Sequence, residues 1–121
     1  MQHNSLTLRV SPAGRMFMRF LVALNSGDPN RIAQFIEKNY AATVLREYNL
    51  DDLVTYYMDV YEQTGGLDIH KVYYSQEYVV MVITISRKTG EHYLDKLKVD
   101  DLPPFAMLEF LHSSPPANQG K

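Results

Sequence analysis

The segment YVVMVITISRKTGEHYLDKLKV, Tyr78 to Val99, decides the fold. Its first nine residues are apolar or β-branched at nearly every position, and a strand sends successive side chains to opposite faces. Val79, Met81, Ile83 and Ile85 then share one face, and Tyr78, Val80, Val82, Thr84 and Ser86 the other. The odd-numbered set reads as the core face. Arg87-Lys88-Thr89-Gly90-Glu91 fits a three-residue hairpin loop with Gly90 in the left-handed conformation. A second strand, Glu91 to Val99, repeats the phase with Tyr93, Leu97 and Val99. On that register Ile85 faces Tyr93, Ile83 faces Asp95, Met81 faces Leu97 and Val79 faces Val99. Asp95 is thus a single carboxylate set into an apolar face.

The same pattern extends outward, so that Leu67 to His112 reads as an antiparallel meander. Ser75 to Tyr78 suits a four-residue type I connection, which places Val72 opposite Met81 and His70 opposite Ile83. His70 and Asp95 then flank Ile83 on one face, two strand spacings or about 10 Å apart. Asp100-Asp101-Leu102-Pro103-Pro104 makes a polar bend, and Phe105 to Leu111 (FAMLEFL) reads as a last strand, buried on both sides or at an oligomer interface. From Ser113 the chain reads as a disordered tail or the start of a linker.

Upstream, apolar residues recur at helical spacing. Met16, Phe17, Phe20, Leu21 and Leu24 predict a helix from Arg15 to Asn25, closed by Gly27. Asp28 and Pro29 restart a helix as N-cap and first helical residue, with Ile32, Phe35 and Ile36 inward. Ala41 to Tyr48 reads as a short helix or turn. Asn49 caps another helix, with Asp51 and Asp52 in its first turn, a stripe of Leu53, Tyr57, Val60 and Tyr61, and Gly65-Gly66 as terminator. Leu6 to Val10 reads as an extended lead-in. The expected architecture is α+β, three to four N-terminal helices packed on a curved antiparallel sheet of three to four strands. Residues 1–14 form the lead-in, 15–112 a single domain and 113–121 the tail.

At 121 residues with 45% hydrophobic content, one core is affordable without disulfides or metal. The net charge of −2 and the scattered Lys and Arg argue against a nucleic-acid partner. Absence of cysteine removes thiol nucleophiles, thiolate metal sites and disulfides. A metal centre would need His92 and His112, yet His92 falls on the face opposite Asp95 and His112 near the chain's end, so neither metal nor cofactor is expected. No basic stretch followed by an apolar one opens the chain, and no apolar run approaches a membrane span. If the first methionine is native, a cytoplasmic location is the expectation.

Three segments carry a resemblance: ALNSGDPNRIAQFI (Ala23 to Ile36), TGGLDIHKVYY (Thr64 to Tyr74) and TGEHYLDKLKVDDLPP (Thr89 to Pro104). Together with the element order they resemble the nuclear transport factor 2-like (cystatin-like) superfamily. More narrowly, they look like the small domains of that type associated with bacterial serine hydrolases. The resemblance spans Arg15 to Leu111 and implies a cone-shaped α+β fold that pairs through its sheet. Members of that superfamily include isomerases, dehydratases, epoxide hydrolases, cyclases and domains without catalysis. Serine hydrolase motifs, Ser-x-x-Lys and Gly-x-Ser-x-Gly, do not occur in this chain.

For chemistry, Asp95 and His70 are the candidate catalytic residues. A carboxylate in apolar surroundings suits acid–base work, because burial disfavours the charged form. The alternatives are a place near the open rim and a structural ion pair with a helix residue such as Arg19 or Arg15. His70 could transfer protons in the same cavity, or be a bulge residue of no chemical role. Tyr57, Tyr61, Ile83 and Tyr93 are the expected pocket walls, tyrosine supplying apolar faces with hydroxyl tips. The outer face, with Tyr78, Val80, Val82 and Leu94 among Thr84, Lys96 and Lys98, is apolar enough for an interface, so a homodimer through the sheet is expected. The leading functional expectation is a non-catalytic or small-molecule-binding module with an apolar pocket between helices and sheet. The alternatives are a cofactor-free isomerase, dehydratase or hydrolase using Asp95, and a pure dimerisation domain.

Overall fold

A computed structural model describes residues 5–115. The helices are α1 (Ser5–Leu8), α2 (Pro12–Asn25), α3 (Pro29–Asn39), α4 (Ala42–Glu47) and α5 (Leu50–Thr64); the strands are β1 (Leu67–Ser75), β2 (Val79–Ser86), β3 (His92–Val99) and β4 (Met107–Ser113). They form an α+β architecture whose helices precede a four-stranded antiparallel sheet in the order β1-β2-β3-β4. No helix among the described residues is long and apolar enough to cross a membrane.

Helix boundaries follow local chemistry. Asp28 accepts from the Asn30 N–H at 2.9 Å and Asn49 from the Asp51 N–H at 2.7 Å, as N-caps should. Gly65 closes α5 in the left-handed conformation, φ 65°. The start of α2 lies earlier than expected, because Ser11 caps it by accepting from the Gly14 N–H at 2.9 Å, with Pro12 in its first turn. The expected extended lead-in is instead the single turn α1, whose Leu8 is fully buried. A Cβ on Gly14 would lie 1.9 Å from the Leu8 carbonyl oxygen, so only glycine lets α2 approach α1 this closely.

The sheet confirms the phase expected of β3 and reverses that of β2. Asp95, Leu97 and Val99 are buried on the helix-facing side, but their β2 companions there are Val80, Val82, Thr84 and Ser86. Val79, Met81, Ile83 and Ile85 lie on the outer face, which also corrects the expected outer set of Val80, Val82 and Thr84. The cause is loop length. Ser86 N–H donates to the Glu91 carbonyl at 2.9 Å, leaving a four-residue loop, Arg87 to Gly90. Ser86 is drawn inward because its hydroxyl donates to the Thr64 carbonyl at 3.0 Å and accepts from the N–H groups of Lys88 and Thr89 at 3.2 and 3.0 Å. A slip of one residue turns every side chain of a strand to the other face, and the register becomes Val82 opposite Asp95 and Thr84 opposite Tyr93.

β1 also departs from expectation. Tyr74 lies opposite Met81 and Val72 opposite Val82, with irregularities between Ile69 and Lys71 and between Val72 and Tyr74. His70 falls in the first of these. Asn25 joins α2 to the start of β1 twice over, its side chain accepting from the Leu67 N–H and donating to the Leu67 carbonyl, both at 2.9 Å. β4 begins at Met107 and runs through Ser113, so that residue belongs to the sheet, while 116–121 of the expected tail lie outside the described residues. β4 is buried on one face only: Met107 and Phe110 point to the core, whereas Leu111 is 48% exposed. Its first residue is held by the Ala41 N–H, which donates to the Met107 carbonyl at 2.9 Å.

Candidate functional site

The reversed phase of β2 builds a polar cluster that the expected register would not form. On the helix-facing side, even positions of β2, odd positions of β3 and even positions at the end of β4 stand side by side. Asp95 lies directly opposite His112 on β4 and diagonal to Thr84 on β2. Asp95 is fully buried, and the Thr84 hydroxyl donates to its Oδ2 at 2.6 Å. The His112 ring bonds through Nδ1 to Oδ1 of the same carboxylate. In the neutral ring that bond puts the proton on Nδ1 and leaves Nε2 as an acceptor. Two donors on one buried carboxylate offset much of its lost hydration, which is how such a group is tolerated on an apolar face.

The ring is held on more than one side. Tyr93 stacks on it with centroids 4.4 Å apart and planes 30° apart. The His112 side chain is only 8% exposed, and its Nε2 is fully buried with no hydrogen-bond partner among the described residues. The backbone N–H of His112 donates to the Tyr56 hydroxyl at 3.0 Å.

The expected partner of Asp95 is elsewhere. His70 is exposed and its ring meets that of His92 edge to face, 4.8 Å between centroids, on the outer side of the sheet. Ile83 is also on that side, so Asp95 and His70 share no face. Arg15 and Arg19 are not its partners either: Arg15 donates to the Arg9 carbonyl and the Arg19 guanidinium lies near the Met16 sulfur. Tyr57 is fully buried against Phe20 and Phe110, filling the space assigned to a pocket. Tyr61 lies over the α2–α3 corner, where a Cβ on Gly27 would be 2.5 Å from its ring. Of the expected wall residues, Tyr93 alone reaches the Asp95 cluster. Thr84 and His112, which complete it, were legible only through the correct β2 phase and an ordered end to β4.

A groove of about 360 Å³ lies beside this cluster, between the α4–α5 region and β4. Tyr40, Val44, Tyr48, Leu53 and Tyr56 form its helical wall and Leu108 to Leu111 its strand wall. The Tyr40 and Tyr57 hydroxyls lie 2.7 Å apart. Tyr57 has no exposure and no other side-chain hydrogen bond, so its proton goes to Tyr40, and the Tyr40 proton is left over at the groove wall. Burial raises the Tyr40 phenol to about 12 and, with the neighbouring Tyr40, pushes Tyr57 well above its usual value. Both stay protonated donors across the physiological range.

Comparison of the chain with protein-family models, curated proteins and solved structures found no match. Function therefore rests on the site itself. Among the described residues no three His, Asp or Glu side chains are grouped to hold a metal. An imidazole positioned by a carboxylate is in kind an acid–base unit, but its free nitrogen is sealed from solvent here. The groove, in contrast, is open, apolar and furnished with a hydroxyl donor.

Proposed function

We propose that the chain is a small-molecule-binding module of nuclear transport factor 2-like architecture, with the groove between α4–α5 and β4 as its site. The order of helices and then an antiparallel meander supports the architecture, and the irregularities in β1 supply the bend such a sheet requires. The observation that carries the function is the groove's make-up: Val44, Leu53, Leu108 and Phe110 for an apolar body, with Tyr40 as a hydrogen-bond donor. Concave, mostly apolar sites with few polar groups are the usual form of ligand pockets. The ligand class is a small hydrophobic molecule bearing an oxygen acceptor.

Titration of the methyl-labelled protein with 2-methylnaphthalene, followed by NMR, tests the groove. Saturable shifts at Val44, Leu53 and Leu108 are expected, and their loss in Leu53→Trp, whose indole fills the space. Shifts that never saturate, or that survive Leu53→Trp in a folded variant, would place binding elsewhere. We also propose that the outer sheet face, with Met81, Ile85, Leu94 and the half-exposed Leu111, pairs two copies of the chain.

A further inference from the structure

The buried Nε2 of His112 has no hydrogen-bond partner among the described residues. An acceptor left unpaired in the interior costs about 1–3 kcal/mol, and native proteins keep few of them. Yet three groups fix this ring: Asp95 takes Nδ1, Thr84 holds the other oxygen of Asp95, and Tyr93 stacks on the imidazole face. In its neutral form a ring so held presents the Nε2 lone pair in one orientation, as a preorganised acceptor. Its surroundings indicate where a donor enters. Leu111, the preceding residue, lines the groove, and Tyr56, another groove wall, is tied to the His112 N–H by its hydroxyl. Tyr56 is 37% exposed, with its ring 5.8 Å from that of Phe110.

Resting on the reading of the groove as a ligand site, we propose that the Asp95–His112 pair is its polar end. When Tyr56 swings aside, Nε2 accepts a hydrogen bond from the hydroxyl of a small apolar alcohol or phenol. The donor is neutral, because a cation would lose its hydration against Val44, Leu53 and Phe110. A metal ion is disfavoured for want of further grouped ligands among the described residues. Asp95 and Thr84 are positioning residues, since they act through the ring and not on the ligand.

The test compares 2-naphthol with 2-methylnaphthalene, which differ by a hydroxyl in place of a methyl, on the full chain. One hydrogen bond to a positioned acceptor predicts about tenfold tighter binding of 2-naphthol. His112→Phe should cut that preference to what a Tyr40 hydrogen bond to the naphthol oxygen supplies. Tyr56→Phe, which releases the wall and keeps its ring, should bind 2-naphthol severalfold more tightly than the parent chain. As His112→Phe could fail to fold, ring-labelled histidine gives a second measurement on the parent protein. The His112 Nε2 resonance should move upfield on adding 2-naphthol and stay in place on adding 2-methylnaphthalene. Equal affinity for the two probes, with an unmoved Nε2 resonance, overturns the proposal and leaves the groove reading standing. Unchanged 2-naphthol affinity in Tyr56→Phe overturns the part given to Tyr56. If neither probe binds, the groove reading fails and this inference falls with it.

Discussion

Tyr57 reaches the middle of the core with one polar partner, the Tyr40 hydroxyl at 2.7 Å. That arrangement makes the fold sensitive to alkali. An unfolded tyrosine loses its proton near pH 10, whereas burial holds Tyr40 to about 12 and pushes Tyr57 well above its usual value. Above pH 10 the unfolded chain releases protons that the folded chain retains, so ionisation favours unfolding. The stabilisation is complete below about pH 10 and is lost on rising from there towards 12, at up to about 1.4 kcal/mol per pH unit for each group. Urea unfolding at pH 9, 10.5 and 11.5 should show a steepening decline, with a shallower slope for Tyr40→Phe. That variant should also be weaker at neutral pH by about 1–3 kcal/mol, because Tyr57 loses its acceptor. An identical slope in variant and parent would mean that this pair does not govern the alkaline transition. At this scale Asp95 stood out in the sequence because a carboxylate breaking an apolar alternation is a local signal. Its partners did not, since His112 is 17 residues away and Thr84 11.

Capping chemistry made the helices readable. Asp28 with Pro29, Asn49, and Gly65 each act on backbone groups within a few residues, so the corners of α3 and α5 could be placed from composition alone. β2 was a different case, because its apolar residues occupy both faces and cannot report which one is buried. Loop length had to decide, and that length is fixed by the Ser86 hydroxyl on the Thr64 carbonyl, 22 residues apart, a tertiary contact with no local trace. The start of α2 was misplaced for a related reason: Ser11, Pro12 and Gly14 look like punctuation, yet Ser11 is a cap and Gly14 a point of contact with Leu8. Gly14→Ala is accordingly expected to destabilise the domain by about 1–3 kcal/mol, in spite of alanine's better helix propensity. Thermal and urea unfolding would measure it. A neutral or stabilising result would show that α1 yields to the added methyl group without loss.

At the level of the whole molecule, the class was legible because four short apolar runs of strand length follow three with period near 3.6, and that order admits few architectures. The site was not, since a groove between β4 and α4–α5 joins parts of the chain far apart in sequence. The proposed pairing of two copies belongs to this scale too. Sedimentation equilibrium should give a dimer for the parent chain and a monomer for Leu111→Lys, which places a charge on the exposed apolar side of β4. A parent chain that stays monomeric throughout the micromolar range removes the pairing. The strand order has a further consequence, for the time the chain takes to fold. Every strand pairs with its neighbour in sequence, so the sheet can zip up hairpin by hairpin with little loop entropy to overcome at each step. Distant seams remain to be closed, among them Ala13 to Glu77, Asn25 to Leu67, Ala41 to Met107 and Tyr56 to His112. Meeting of the helical half with the sheet half across those seams is then the slow event, and it sets the folding rate in the range of about milliseconds expected for mixed α and β domains.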